Sequence, residues 1–291
     1  MDLKSLNTFT TILECGSFAA AARILNYTQS TITFQMQQLE QELSVQLFEK
    51  VGRKMRVTQA GKDLLPYINA VLQSAERLAN YGKSYHELAG TLRVTCAESI
   101  FVYRLQPVIR KFREMAPHVK LLVQNKSSYT TRDEVMRGAA DLGIHYDIGG
   151  FSSSAVVKRF SEMPYVLVSS GHPETEDLDF ITEGTHNPVT LISGEPIMYE
   201  RLREYLHTRH ITVDMVLNLA GTSVVKCSVM SGLGIAFLPA YTIEEELKDG
   251  RMRILDTEIP NPSVPVICVY HKNKWITPAM ELFMKLTAEV L

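Results

Sequence analysis

Two sets of side chains in this 291-residue chain have types and spacing suited to recognition chemistry. The first runs from Thr28 to Leu43. If Ile32, Met36, Leu39 and Leu43 form the inward face of a helix, the opposite face carries Ser30, Thr33, Phe34, Gln37, Gln38 and Gln41, with Gln29 at the exposed N-terminal end. This stretch holds no Lys or Arg. Amides can hydrogen-bond the adenine edge, and an aromatic ring can touch a thymine methyl. Phosphate charge would then be met by Arg53, Lys54 and Arg56 just downstream, and by helix N-termini. A merely solvated polar face is the plainer alternative. In the second set, Ser99 and the pair Thr222-Ser223 each follow an expected strand and open a helix. Ser127 and Ser128 follow another strand, and His145 ends a third. Hydroxyls and free N–H groups at such places suit a carboxylate or other anion. Helix capping alone explains any one of them equally well; their recurrence at equivalent strand ends is what groups them.

Other chemistries lack their residues. The chain has no Gly-x-Ser-x-Gly elbow. His86-Glu87-Leu88-Ala89-Gly90 begins like a zinc-binding helix but has no second histidine. Gly232-Leu233-Gly234 precedes a strand, whereas a dinucleotide loop must follow one. Cys15, Cys96, Cys227 and Cys268 are isolated, which excludes zinc ribbons and points to a reducing compartment. Neither an enzyme, a metal site nor a cofactor is expected. Cys96 and Cys227 fall near strand and helix ends facing the expected site, so a redox switch is the alternative; small buried hydrophobes are the simpler reading. No apolar run approaches the ~20 residues of a membrane helix. The opening Met1-Asp2-Leu3-Lys4 is not the start of a signal peptide. The expectation is a cytoplasmic protein with no membrane partner.

The elements that position these residues change character near Gly90. Leu3, Leu6, Phe9, Ile12 and Leu13 share one helical face ending at Gly16. Ser17 can cap an alanine-rich second helix to Leu25, and Thr28 the third. Leu47 to Lys50 and Met55 to Val57 read as two strands around a turn. Together these make a winged helix-turn-helix over residues 1–58. Over residues 1–62 the charge is +2 against −2 for the whole chain, a weak asymmetry of the right sign for a polyanion partner. Thr58 then starts a long helix expected over 59–87. Leu64, Ile68, Val71, Ala75 and Leu78 step by 4, 3, 4, 3, the pattern of a two-helix seam and hence of a dimer; the alternative is a helix lying on its own domain. From 91 to 291 strands alternate with helices, which means an open α/β sheet, in two parts.

The quoted residues closely resemble the LysR-type transcriptional regulators. The resemblance rests on Ala19-Ala20-Ala21-Ala22-Arg23, Thr28-Gln29-Ser30-Thr31-Ile32-Thr33, Leu39-Glu40, Leu47-Phe48-Glu49-Lys50, Gly52-Arg53 and Thr58-Gln59-Ala60-Gly61. Gly138-Ala139-Ala140-Asp141-Leu142-Gly143-Ile144 and Ser231-Gly232-Leu233-Gly234-Ile235-Ala236-Phe237-Leu238-Pro239 extend it over the chain. Ser30 stands where proline is common, Phe34 where a basic or polar residue is frequent, and Lys50 where arginine is usual. The resemblance implies DNA contacts from Gln29, Thr31, Thr33 and Arg53, beside the Ser30, Phe34, Gln37 and Lys54 read directly. It also implies a two-lobed effector domain resembling periplasmic binding proteins, with lobe I at 91–162 and 267–291 and lobe II at 163–266. The cleft between them would be lined by Ser99, Ser128, His145, Thr222 and Ser223 and take a small organic anion or an amino acid. A homodimer or homotetramer on a promoter inverted repeat is implied, with RNA polymerase as a further candidate partner.

Overall fold

The computed structural model describes residues 2–51, 54–171, 189–194, 196–208, 210, 213–255, 259 and 262–291. The chain forms two compact units, Met1–Gly90 and Thr91–Leu291.

In the first unit, α1 (Leu3–Cys15) starts where the Asp2 carboxylate accepts from the Ser5 N–H and stops at Gly16, whose φ of 72° ends the helix. Ser17 caps α2 (Phe18–Ile24) and Thr28 caps α3 (Gln29–Leu43), each hydroxyl accepting from the backbone N–H three residues on, at 3.1 Å. The seam residues Ile32, Met36 and Leu39 are buried against Leu6, Phe9, Ile12, Ala21 and Ala22. The wing is a hairpin of β1 (Phe48–Val51) and β2 (Lys54–Val57) in antiparallel register. Phe48 joins it to the core, its ring 5.5 Å from Phe9 and 4.9 Å from Phe18. Glu40 fastens α3 to the same hairpin: one carboxylate oxygen accepts the N–H groups of Leu47 (2.7 Å) and Phe48 (3.0 Å).

The helix α4 (Gln59–Ala79) begins where the Thr58 hydroxyl donates to the Gln46 carbonyl and accepts from the Gly61 N–H. A Cβ at Gly61 would stand 2.7 Å from both the Leu47 carbonyl and the Val57 side chain, so this glycine lets α4 press on the wing. The helix expected to reach 87 ends at Ala79. Asn80 explains the stop, because its side-chain amide bonds both the N–H and the carbonyl of Ala89, and the chain turns through Gly82 into a short 3-10 segment, Tyr85–Glu87. The expected seam is also rotated. Ile68 is buried in the N-terminal core and Leu64, Leu65 and Leu72 pack on it. The large apolar side chains left outward on α4 among the described residues are Tyr67 (71% exposed), Val71 and Leu78 (79%).

The second unit is built on one sheet, with strand order β4-β3-β5-β11-β6-β9-β7-β8 and β10 alongside β6. In chain order it runs β3 (Gly90–Cys96), α5 (Glu98–Ile100), a π turn (Phe101–Leu105), α6 (Gln106–Met115), β4 (Val119–Asn125), α7 (Ser128–Met136), β5 (Leu142–Tyr146) and β6 (Ala155–Ser170). It continues with β7 (Val189–Ser193), α8 (Pro196–Thr208), β8 (Val213–Asn218), α9 (Thr222–Met230), β9 (Ile235–Pro239), α10 (Glu244–Lys248), β10 (Met252–Leu255), β11 (Ser263–His271) and α11 (Pro278–Val290). The sixteen-residue β6 pairs with β11 over 155–164 and with β9 and β10 over 165–170, so one strand belongs to both lobes. The lobes change over at Pro164/Tyr165, and β11 rejoins lobe I from Ser263, four residues before the expected 267.

Both signature segments do structural work. The Asp141 carboxylate accepts from the Arg93 N–H at 2.7 Å and pairs with the buried Lys274 ammonium, tying β5, β3 and the turn after β11. A Cβ at Gly234 would lie 2.2 Å from the Thr190 carbonyl, so this glycine serves close strand approach and not phosphate binding. Replacing Glu40 by Ala strands two N–H groups in a largely buried joint and should cost about 1–3 kcal/mol. Urea unfolding of the full chain, followed by a probe in the first unit, measures it; an unchanged midpoint would show that the wing is held without Glu40.

Candidate functional site

The carboxyl ends of β3, β4, β5, β7, β8 and β9 converge on a cavity of about 460 Å³. An open α/β sheet binds ligands at that edge because helix N-termini and loop N–H groups collect there. Its polar lining is Glu98, Ser99, Asn125, Lys126, Ser127, Tyr146, Tyr165, Thr222 and Ser223, and its apolar lining includes Met198, Val224, Val225, Phe237 and Leu238.

Three of the five expected effector residues, Ser99, Thr222 and Ser223, line this cavity. Ser99 is buried, and its hydroxyl shares a 2.6 Å hydrogen bond with the Tyr146 hydroxyl. The α9 N-terminus is already met from lobe I, where the Glu98 carboxylate accepts the Thr222 N–H at 2.9 Å. Ser128 is fully buried, and Ser127, which caps α7, lines the cavity in its place. His145 is not in the lining. Its ring lies on the α7 side of the sheet, 6.1 Å from Phe151, and near the Cβ position of Gly143, which also meets Thr131 and Val135 of α7. Adjacent strand residues point to opposite faces, so Tyr146 takes the cavity side.

His145 is held neutral. Burial lowers its imidazole to about 4, although the hydrogen bond to the Tyr146 carbonyl (2.7 Å) and the Asp147 charge both favour the cation. Burial keeps the Tyr146 hydroxyl well above the usual tyrosine value, so it stays a neutral donor and acceptor. Lys126 supplies positive charge to the rim while paired with Glu134 of α7. The cavity therefore offers one carboxylate, one ammonium, several hydroxyls and an apolar wall, a set suited to a small acid or zwitterion. Lys126, Asn125 and Tyr146 carried no sequence signal. Glu98 is readable only as a neighbour of Ser99.

Cys96 is buried with its thiol pushed up to about 12 by burial, and it donates to the Gln124 carbonyl. Cys268 is likewise buried and pushed up to about 12, while Cys227 is exposed on α9. No group of three or more His, Cys, Asp or Glu able to hold a metal occurs among the described residues.

In the first unit Gln29, Ser30, Phe34 and Gln37 are exposed on α3, Phe34 at 65%. Thr31 and Thr33 are half-buried and use their hydroxyls locally, Thr31 with the Thr28 hydroxyl and Thr33 with the Gln29 carbonyl. Arg53 lies outside the described residues, and Lys54 opens β2.

Residues 3–62 match the bacterial regulatory helix-turn-helix protein model of the lysR family, and residues 86–291 match the LysR substrate binding domain. The chain belongs to the LysR family of transcriptional regulators. The HTH-type transcriptional regulator YfiE of Escherichia coli is 36% identical over 292 residues, covering 99% of this chain and 98% of that protein. Among solved structures, a full-length OxyR variant from Pseudomonas aeruginosa superposes with a TM-score of 0.74 at 19% identity, covering 100% of this chain and 94% of that one. Full-length CbnR in complex with its target DNA superposes at 0.60 and 19% identity, covering 100% of both chains. The LysR family thus accounts for both units, a DNA-binding helix-turn-helix and an effector-binding α/β domain. No helix among the described residues is long and apolar enough to cross a membrane.

Two measurements test the electrostatics. The unfolded chain protonates His145 below about pH 6.5 and the folded chain only below about 4, so between those values the unfolded state binds more protons. Stability present at neutral pH should therefore fall as pH drops through that window, and His145→Phe should flatten the fall. The readout is the urea midpoint against pH, and equal slopes for the two proteins would refute the assignment. Iodoacetamide at pH 8 should label Cys227 and leave Cys96 and Cys268 unmodified until the chain is denatured. Rapid labelling of native Cys96 would restore it as a candidate redox sensor.

Proposed function

We propose that the protein is a cytoplasmic, sequence-specific transcription regulator controlled by a small organic anion or amino acid bound between the lobes of its second unit. The observation that carries the DNA reading is the face of α3, where Gln29, Ser30, Phe34 and Gln37 stand out to solvent opposite a fully buried seam. A helix presenting amides and one aromatic ring, with no basic side chain, cannot make the arginine–guanine pair that dominates major-groove readout. It suits adenine edges and thymine methyls. Arg53 and Lys54 at the wing supply phosphate contacts, which position the unit without reading sequence.

The outward stripe Tyr67, Val71 and Leu78 on α4 supports pairing of two copies, and the LysR relationship supports a homodimer or homotetramer on an inverted repeat. In the cavity, Ser99 and Lys126 suit the acidic end of an effector. Glu98 suits a cationic group, and an acid directed at the α9 N-terminus has to displace it.

Selection of binding sites from a random oligonucleotide pool tests the DNA reading. The recovered half-sites should be A·T-rich under α3, and Gln37→Ala should cost about 1–3 kcal/mol at one such position. Half-sites dominated by G·C pairs would refute it. For the effector, small acids and amino acids that raise the Tm of the full chain should lose that effect in Ser99→Ala. An unchanged shift would remove Ser99 from the site.

A further inference from the structure

The segment after β3 carries four side chains that tie the two lobes together. In an α-helix, residues five apart lie about 140° apart around the axis. Between Phe101 and Leu105 the helix opens into a π turn, whose i→i+5 bonds bring residues five apart nearly into line. Glu98 and Ser99 stand in α5 just before this turn and Tyr103 and Arg104 within it; Glu98, Tyr103 and Arg104 engage lobe II directly, and Ser99 does so through Tyr146 of lobe I. Glu98 accepts the Thr222 N–H at 2.9 Å. The Ser99 hydroxyl bonds that of Tyr146, which bonds Tyr241 at 2.7 Å. Arg104 stacks on the Tyr241 ring, 4.5 Å from its centroid. Tyr103 accepts from the Lys226 ammonium at 3.1 Å.

The far end is anchored. Lys226 is buried, and its other two protons go to the Thr242 carbonyl (2.6 Å) and to the buried Glu246 carboxylate (2.8 Å). All three ammonium donors are thus satisfied, as a buried cation requires. Burial alone would lower its pKa, yet Glu246 and Tyr103 outweigh it and the ammonium is favoured. Thr242 directly follows Tyr241. The residue whose hydroxyl meets Tyr146 is thus the chain neighbour of the one whose carbonyl holds Lys226, which in turn donates to Tyr103.

We propose that the π turn is an interlobe latch whose ties to Thr222, Tyr241 and Lys226 make and break as one unit, so that a compound touching Ser99 or Thr222 acts on the whole joint. The last clause rests on the reading of the cavity as the effector site; the latch itself does not. Tyr241 and Lys226 are positioning residues, since neither lines the cavity.

Hydrogen exchange on the full-length protein, without ligand, tests the latch. Tyr241→Phe keeps the ring and deletes a hydroxyl that does not touch Thr222. If the ties act together, exchange over residues 219–230 and 98–105 should rise about tenfold, while residues 3–43 and 142–146 exchange as before. Lys226→Met combined with Glu246→Gln cuts the same latch at its other end and should produce the same pattern. Adding Glu98→Ala to Tyr241→Phe should then give no more than the larger single effect. A rise confined to 240–246, or effects of Glu98→Ala and Tyr241→Phe that multiply, would overturn the proposal. If instead the latch behaves as expected but no acid or amino acid raises the Tm, the effector reading fails and the latch stands.

Discussion

The second unit depends on the continuity of β6. Nine of the first ten residues of this strand pair with β11 in lobe I and the last six pair in lobe II, so the lobes share a backbone ladder and are not joined by a flexible tether. A β-strand twists and bends but does not come apart at one residue without losing ladder bonds. The lobes therefore cannot part at the Pro164/Tyr165 changeover without loss of ladder bonds. Polar side chains spanning the cavity then matter, because a small rotation is enough to make or break bonds of 2.6–3.1 Å.

Much of the first unit was legible in the sequence because its elements are short helices with local signals. Asp2, Ser17 and Thr28 are caps, Gly16 is a stop, and the 3.6-residue period selects Ile32, Met36 and Leu39 for the core. The helix after Thr58 was legible in its start and not in its end. What stops it is the Asn80 side chain pairing with Ala89, a contact between residues nine apart that no periodicity reveals. Its seam was misplaced because a run rich in leucine and alanine fits several faces, and only the position of the N-terminal core decides which face is free.

In the second unit the strand ends carrying Ser99 and Thr222 were legible, and the parity of β5 was not. Leu142 to Tyr146 is buried on both faces, so the sequence shows no alternation to say which side chains look into the cavity. A one-residue error in parity placed His145 there instead of Tyr146. The first ten residues of β6 carry no clear strand signal for a related reason. Ala155 to Pro164 mixes valines with Lys158, Arg159 and Glu162, as a strand does when its surroundings change along its length. Likewise β7 and β10, of five and four residues, give too short a sample of period two to be legible.

The joint between α3 and the wing has a mechanical consequence. Glu40 fixes the start of β1 to the recognition helix, and Gly61 lets α4 close on the same hairpin with no side chain between them. The α3 helix and the wing hairpin therefore form one stiff head, and on the proposed reading, in which α3 meets bases and the hairpin phosphates, its grip on a groove has a set width. On that reading a duplex that does not match the width would be the more compliant partner, absorbing the mismatch by bending or narrowing at steps the protein never touches.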